Sequence, residues 1–139
     1  MRMLKVSFAA LLVVMVVCAI ASKRTMADGA LAVGMSNNFN DGIAFGWGVN
    51  YKTTDEASAA SLRNCQEQDN PVRRNCRVLA TFKKECFAYA FTPSAPGAGW
   101  ATAADKDTAE QRALAFCALT AGAGRGQLCK INKSQCDTD

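Results

Sequence analysis

The sequence predicts an α+β domain of two ββαβ-like half-repeats, with an antiparallel sheet, two packed helices and three disulfides. The segment Asp55 to Cys65 recurs as Asp107 to Cys117 at a constant offset of 52, with Asp, Ala, Leu and Cys coinciding. Upstream, Gly46-Trp47-Gly48 is answered by Gly99-Trp100, and downstream, Cys76-Arg77-Val78 is answered by Cys129-Lys130-Ile131. Six cysteines beyond residue 60 form an even set. Closely spaced metal pairs of the C-x-x-C type do not occur among them, and the chain holds no histidine, so disulfides account for them better than zinc.

In chain order, Met1-Arg2-Met3-Leu4-Lys5 is a basic start, followed by an apolar run from Val6 to Ala21 broken only by Ser7. This is the pattern of a secretory signal peptide, residues 1–27, with Ala19-Ile20-Ala21 and Thr25-Met26-Ala27 as cleavage motifs and the cut expected after Ala27. The alternative is a retained anchor with Lys23 and Arg24 as its stop-transfer flank. Cys18 follows Val17, which is too large for lipoprotein processing. Removing 27 of the 139 residues leaves 112, a single duplicated domain over 28–139 with half-repeats at about 28–85 and 86–139. Arg2, Lys5, Lys23 and Arg24 leave with the signal, so 12 basic residues face 12 acidic ones and the formal +4 belongs to the targeting segment. Net charge therefore gives no reason to expect nucleic acid as a partner, and no stable membrane insertion is expected after cleavage.

Each half reads as an apolar strand, a Gly-Trp strand, an Ala-rich helix ending in Cys, a loop, and a Cys-basic-aliphatic strand. The first strands are Ala30-Leu31-Ala32-Val33 and Ala88-Tyr89-Ala90-Phe91. Thr53 with Glu56, and Asp107 with Glu110, have capping-box spacing for the two helices. Leu62 and Leu114 each precede a cysteine by three residues, which places Leu and Cys on one helix face. Six cysteines allow fifteen pairings, and the repeat narrows them. If the halves are alike, Cys65 bonds Cys76, Cys117 bonds Cys129, and Cys86 is left for Cys136. In the chain-entropy picture such bridges contribute typically ~2–4 kcal/mol each.

Without histidine, the Ser-His-Asp and Cys-His arrangements are excluded. Carboxylates remain: Asp105, Asp107 and Glu110, or Asp55 and Glu56, all at positions where helix caps and first-turn charges belong. No catalytic residue, metal ligand or cofactor is expected. Gly122-Ala123-Gly124-Arg125-Gly126 resembles an anion cradle in composition, but it closes a helix where a nucleotide fingerprint opens one. Trp47 and Trp100 occupy matching places, which argues for core roles with each indole packed beside a helix, against a ligand-stacking platform. Arg73, Arg74, Arg77, Lys83 and Lys84 concentrate basic charge and form the candidate interaction patch, against the alternative of a solvated strand edge.

The segment Ala27 to Asp139 resembles a bacterial secreted family known as domain of unknown function 4189. The resemblance rests on Asp28-Gly29-Ala30-Leu31-Ala32-Val33-Gly34, the Gly-Trp strands, the Ala-rich helices ending in Cys, and the Cys76-Arg77-Val78 and Lys84-Glu85-Cys86 segments. It implies a duplicated extracytoplasmic module and brings no catalytic residues. The expectation is an exported, periplasmic or secreted, non-enzymatic module that binds a protein partner, as an inhibitor, immunity protein or secreted effector. A small envelope enzyme using carboxylates and a structural envelope protein without a specific ligand are the alternatives.

Overall fold

The computed structural model describes residues 28–38, 41–93 and 97–137. The segment read as a signal peptide, with Cys18, lies outside them. The chain runs β1 (Asp28–Gly34), β2 (Ala44–Tyr51), helix α1 (Thr54–Gln66), β3 (Arg77–Lys83), then β4 (Cys86–Phe91), β5 (Ala98–Ala103), α2 (Lys106–Ala121) and β6 (Lys130–Cys136). Short 3-10 turns at Pro71–Asn75 and Gly126–Leu128 precede β3 and β6. The α+β fold with two ββαβ halves is thus borne out, and the antiparallel strands divide into one three-stranded sheet per half, ordered β2-β1-β3 and β5-β4-β6.

The two sheets stack face to face, and each carries its own helix on the outer face. The cause is an alternation in the strands between small residues and large apolar ones. In β1, Ala32 joins a cluster with Ala44, Val72 and Cys65 on the α1 side, while Leu31 and Val33 join Phe45, Phe82, Phe87 and Tyr89 between the sheets. In β4, Cys86, Ala88 and Ala90 pack with Ala109, Ala113 and Cys117 of α2, while Phe87 and Tyr89 point the other way. Phe45 of β2 stacks on Tyr89 of β4 with centroids 4.0 Å apart and planes at 10°. Both indoles belong to this aromatic layer, with Trp47 and Trp100 packed against its buried core. They therefore face away from the helices. The expectation of an indole beside a helix is corrected, because its glycine neighbours take the helix side.

Those glycines set the helix–sheet distance. A Cβ on Gly46 would sit 2.2 Å from the Ser61 carbonyl oxygen and 2.3 Å from the Cys65 nitrogen, and one on Gly99 would sit 2.3 Å from both the Ala113 oxygen and the Cys117 nitrogen. The helices bury correspondingly small faces: Ala57, Ala60, Ser61 and Cys65 in α1, and Ala109, Ala113, Cys117 and Ala121 in α2. Thr53 caps α1, its side chain accepting from the Glu56 nitrogen at 3.2 Å. The cap of α2 is Asp105, which accepts from the Thr108 nitrogen at 2.8 Å, and Asp107 lies in the first turn. With Thr53 and Asp105 as equivalents, the caps share the offset of 52 that the helices keep.

Disulfides join Cys65 to Cys76 and Cys117 to Cys129, each with Cα atoms 6.0 Å apart, and Cys86 to Cys136. Cys86 and Cys136 face each other across β4 and β6. The same register position in the first half pairs Asp28 with Lys83, whose charged atoms are 3.1 Å apart. An ion pair thus stands in one half where a covalent bridge stands in the other. The Thr54 hydroxyl also donates to Asp28, and these partners, Thr54 foremost, hold its carboxyl below the ordinary 3.8. Asp137, buried at the chain end, links the halves: its carboxylate accepts from the Asn50 nitrogen at 2.8 Å and the Lys84 nitrogen at 3.3 Å.

Two outcomes follow for stability. Gly99→Ala, or Gly46→Ala, should lower the unfolding free energy by about 1–3 kcal/mol in urea titrations, because the added methyl meets helix backbone and not a movable side chain. Asp28→Asn should be less stable than the parent at neutral pH. Since the folded carboxyl is depressed, its contribution is full above the unfolded value of 3.8 and is lost as pH falls through the folded value. The stability gap should therefore stay constant from pH 7 to about 5 and close below 4.

Candidate functional site

β3 and β5 form the edges of the two sheets on one side of the sandwich, and between them the aromatic layer opens into a groove of about 830 Å³. Its walls come from Leu79 of β3, Trp100 and Thr102 of β5, and Tyr89 of β4, with Arg112 and Phe116 of α2 on its outer lip. This volume is in the range of ligand-binding clefts, and the lining is apolar with a few polar groups. A register shift in β3 aligns Leu31 with Ala80 but Ala32 with Val78, so Leu79 is an extra, bulged residue. Bulges of this kind re-aim a side chain at a sheet edge. Of five exposed large apolar side chains among the described residues, Met35 (44%), Leu79 (36%) and Phe116 (53%) line this groove.

The polar groups are few and specific. Thr120 receives the Ala98 nitrogen at 2.9 Å and donates to the Ala98 oxygen at 2.7 Å, so α2 covers part of the β5 edge. Arg112 donates to the Thr102 oxygen at 3.4 Å. Tyr89 is 8% exposed, and burial pushes its phenol up to about 12, so the hydroxyl stays protonated and can donate. It makes no hydrogen bond to any described residue.

The opposite side of the sandwich, where β2 meets β6, is built from equivalent positions and filled differently. Lys133 lies over the Trp47 ring at 5.3 Å, and the Asn64 amide donates to the Trp47 oxygen at 2.6 Å. Register fixes the equivalences. Leu31 pairs with Trp47 and Ala80 as Tyr89 pairs with Trp100 and Lys133. The counterpart of Lys133 is thus Ala80, which has no long side chain to lay over Trp100.

The residues singled out by sequence fall elsewhere. Arg73, Arg74 and Arg77 cluster around the start of β3, while Lys83 and Lys84 lie at its end, six strand steps or roughly 20 Å away. The structure therefore does not gather the five into one patch, and Lys83 is engaged by Asp28. Asp105 is spent on the α2 cap, where hydrogen bonds from Thr108 hold its carboxyl below the ordinary range. Glu110 accepts from the Ser134 hydroxyl and lies 3.8 Å from Lys106. The described residues contain no cluster of three or more metal-ligating side chains. Gly122, at φ 81°, ends α2, and the Arg125 nitrogen bonds its oxygen at 3.2 Å, so the glycine-rich segment serves as a helix stop and turn. Sequence reading passed over Leu79, Tyr89, Arg112 and Phe116. Their signal was available in the repeat: Phe116 answers Asn64 and Arg112 answers Ala60 at the helix offset of 52, while Leu79 answers Asn132 in the last strands.

Three disulfides fit an oxidising compartment, and no helix among the described residues is long and apolar enough to cross a membrane. No curated protein and no solved structure matches the chain. A family model does match, over residues 19–136 and thus most of the length, and by that match the chain belongs to the family described as Domain of unknown function (DUF4189).

Proposed function

We propose that this domain is an exported, non-enzymatic binding module of the periplasm or the extracellular medium, and that it holds a protein partner at the β3/β5 groove. One observation carries the reading. Leu79 and Phe116 are exposed and apolar on the rim, whereas their repeat counterparts on the opposite side of the sandwich are Asn132 and Asn64. The duplication acts as an internal control: the same local fold is built with polar residues there, so folding does not demand the apolar ones. An apolar rim that folding does not need is the mark of a contact surface.

A protein partner fits this rim better than a small ligand. Exposed apolar surface continues past the groove to Leu119 on α2, 77% exposed, where the other half has Glu67. A molecule confined to the groove would leave that surface wet. The stapled framework also suits an inhibitor or immunity role, because a rigid surface loses little order on binding. The basic residues are divided between the two ends of β3 and Lys83 is engaged by Asp28, so the groove replaces them as the favoured surface.

The test exchanges the rim for its own counterparts. Leu79→Asn with Phe116→Asn should leave the unfolding free energy within about 0.5 kcal/mol of the parent, as surface substitutions generally do. In crosslinked pull-downs of the tagged, oxidised protein from its own host, one stoichiometric partner should be retained by the parent and by an Arg73→Glu, Arg74→Glu variant, and lost by the groove variant. Retention by the groove variant with loss on charge reversal would overturn the assignment and move the site to the start of β3.

A further inference from the structure

Resting on that reading of the groove, we infer that the partner is recognised through a segment carrying a large apolar side chain next to a carboxylate, the carboxylate being received by Arg112. Arg112 is the one charged residue of the groove lining. It commits one N–H to the Thr102 oxygen. Hydrogen bonds from Thr108 take the Asp105 oxygens and lower that carboxyl, and the Arg112 charge helps to lower it. A guanidinium carries five N–H groups, in a fork that matches carboxylate geometry. Its counterpart in the first half is Ala60, buried in the helix–sheet contact, so the fold is built there without a cation.

Two further groups point to a polar segment lying beside the apolar one. Tyr89 has a protonated hydroxyl on the groove wall with no hydrogen bond to any described residue, where the first half has Leu31. It is a second donor for an acceptor brought in from outside. Trp100 supplies an acceptor. The equivalent Trp47 oxygen is capped by Asn64, but Phe116 stands at that position in the second half and has no donor to give. The carbonyls of Ala98 and Thr102, two residues to either side, turn off the sheet edge to Thr120 and Arg112. The Trp100 carbonyl turns outward with them and is left by the described side chains for a backbone N–H of the bound segment. Thr120 and Arg112 meanwhile hold the Ala98 and Thr102 edge groups, which limits pairing to about one residue and excludes addition of a full strand. Two donors, one acceptor and an aromatic floor are complementary to a peptide residue with its N–H, an apolar side chain and a neighbouring carboxylate.

The probes are two capped tetrapeptides, Ac-Ala-Phe-Asp-Ala-NH2 and its isosteric Asn form, titrated into the 15N-labelled, oxidised protein and followed by amide chemical shifts. The Asp peptide should shift the amides of Leu79, Tyr89, Trp100 and Phe116 and bind about threefold or more tighter than the Asn peptide. Arg112→Ala should abolish that difference, the Asp peptide losing more affinity than the Asn peptide. Equal binding of the two peptides to the parent would overturn the carboxylate inference while the apolar groove stood. Failure of both to shift the groove amides would overturn the groove reading as well. Groove shifts driven by protein concentration alone would make a second copy of this chain the occupant and overturn the inference.

Discussion

The closest constraint in this molecule is the contact of each helix backbone with a strand glycine, Gly46 under α1 and Gly99 under α2, where there is no room for a methyl group. With the helices so near, the strand positions directly beneath them are glycine, alanine and cysteine, while larger residues such as Ile131 pack at the margin of that contact. Every large apolar side chain of the inner strands must then go to the opposite face. The aromatic layer between the sheets follows from this, as does the stacking of the two halves on each other, since neither sheet could leave that face in water. The Cys65–Cys76 and Cys117–Cys129 bridges act on the same contact, fixing the second part of each helix to the chain that enters the last strand.

Duplication gives two copies of one solution, and the copies have diverged where the fold leaves freedom. At the start of the first strand and the end of the last, one half closes with Asp28 and Lys83 and the other with Cys86 and Cys136. At the two sides of the sandwich the divergence is larger. Lys133 and Asn64 finish one side, whereas Ala80 and Phe116 leave the other open. The internal comparison separates what the architecture requires from what it merely permits. Glycine against the helix, with the adjacent tryptophan turned to the opposite face of the sheet, occurs in both halves and belongs to the scaffold. Leu79 of the first half and Tyr89, Arg112 and Phe116 of the second each have an unlike residue at the repeat counterpart, and they lie around one groove.

The candidate site was readable only in part. Trp100 stood out in the sequence as one of a matched pair, and its core role was the natural inference from that symmetry. Its place in the groove lining faces Ala80, an unremarkable residue that matters because Lys133, at the equivalent position, lies over Trp47. Density of charge drew attention instead to Arg73 through Lys84, but a strand lies between these residues and carries its two ends far apart. Asp105, Asp107 and Glu110 stood in the sequence where caps and first-turn charges belong, and Asp105 and Glu110 accept hydrogen bonds separately, from Thr108 and Ser134.

By itself the sequence determined the order of elements, the duplication, the small-residue helix faces and the alternation in the inner strands. All of these are written in spacings of a few residues or in one long repeat, and local periodicity decides which side chains share a face. Tertiary structure alone decided that the strands split into two sheets stacked through their aromatic faces, that the indoles point away from the helices, and that Leu79, Tyr89, Arg112 and Phe116 meet. Those four come from β3, β4 and α2, and periodicity within an element carries no information about which edge of one sheet will lie over which edge of another. That choice is made by how the two aromatic faces fill the space between them, with Phe45 on Tyr89 and Lys133 over Trp47, and it leaves the groove on the side where nothing comparable fills it.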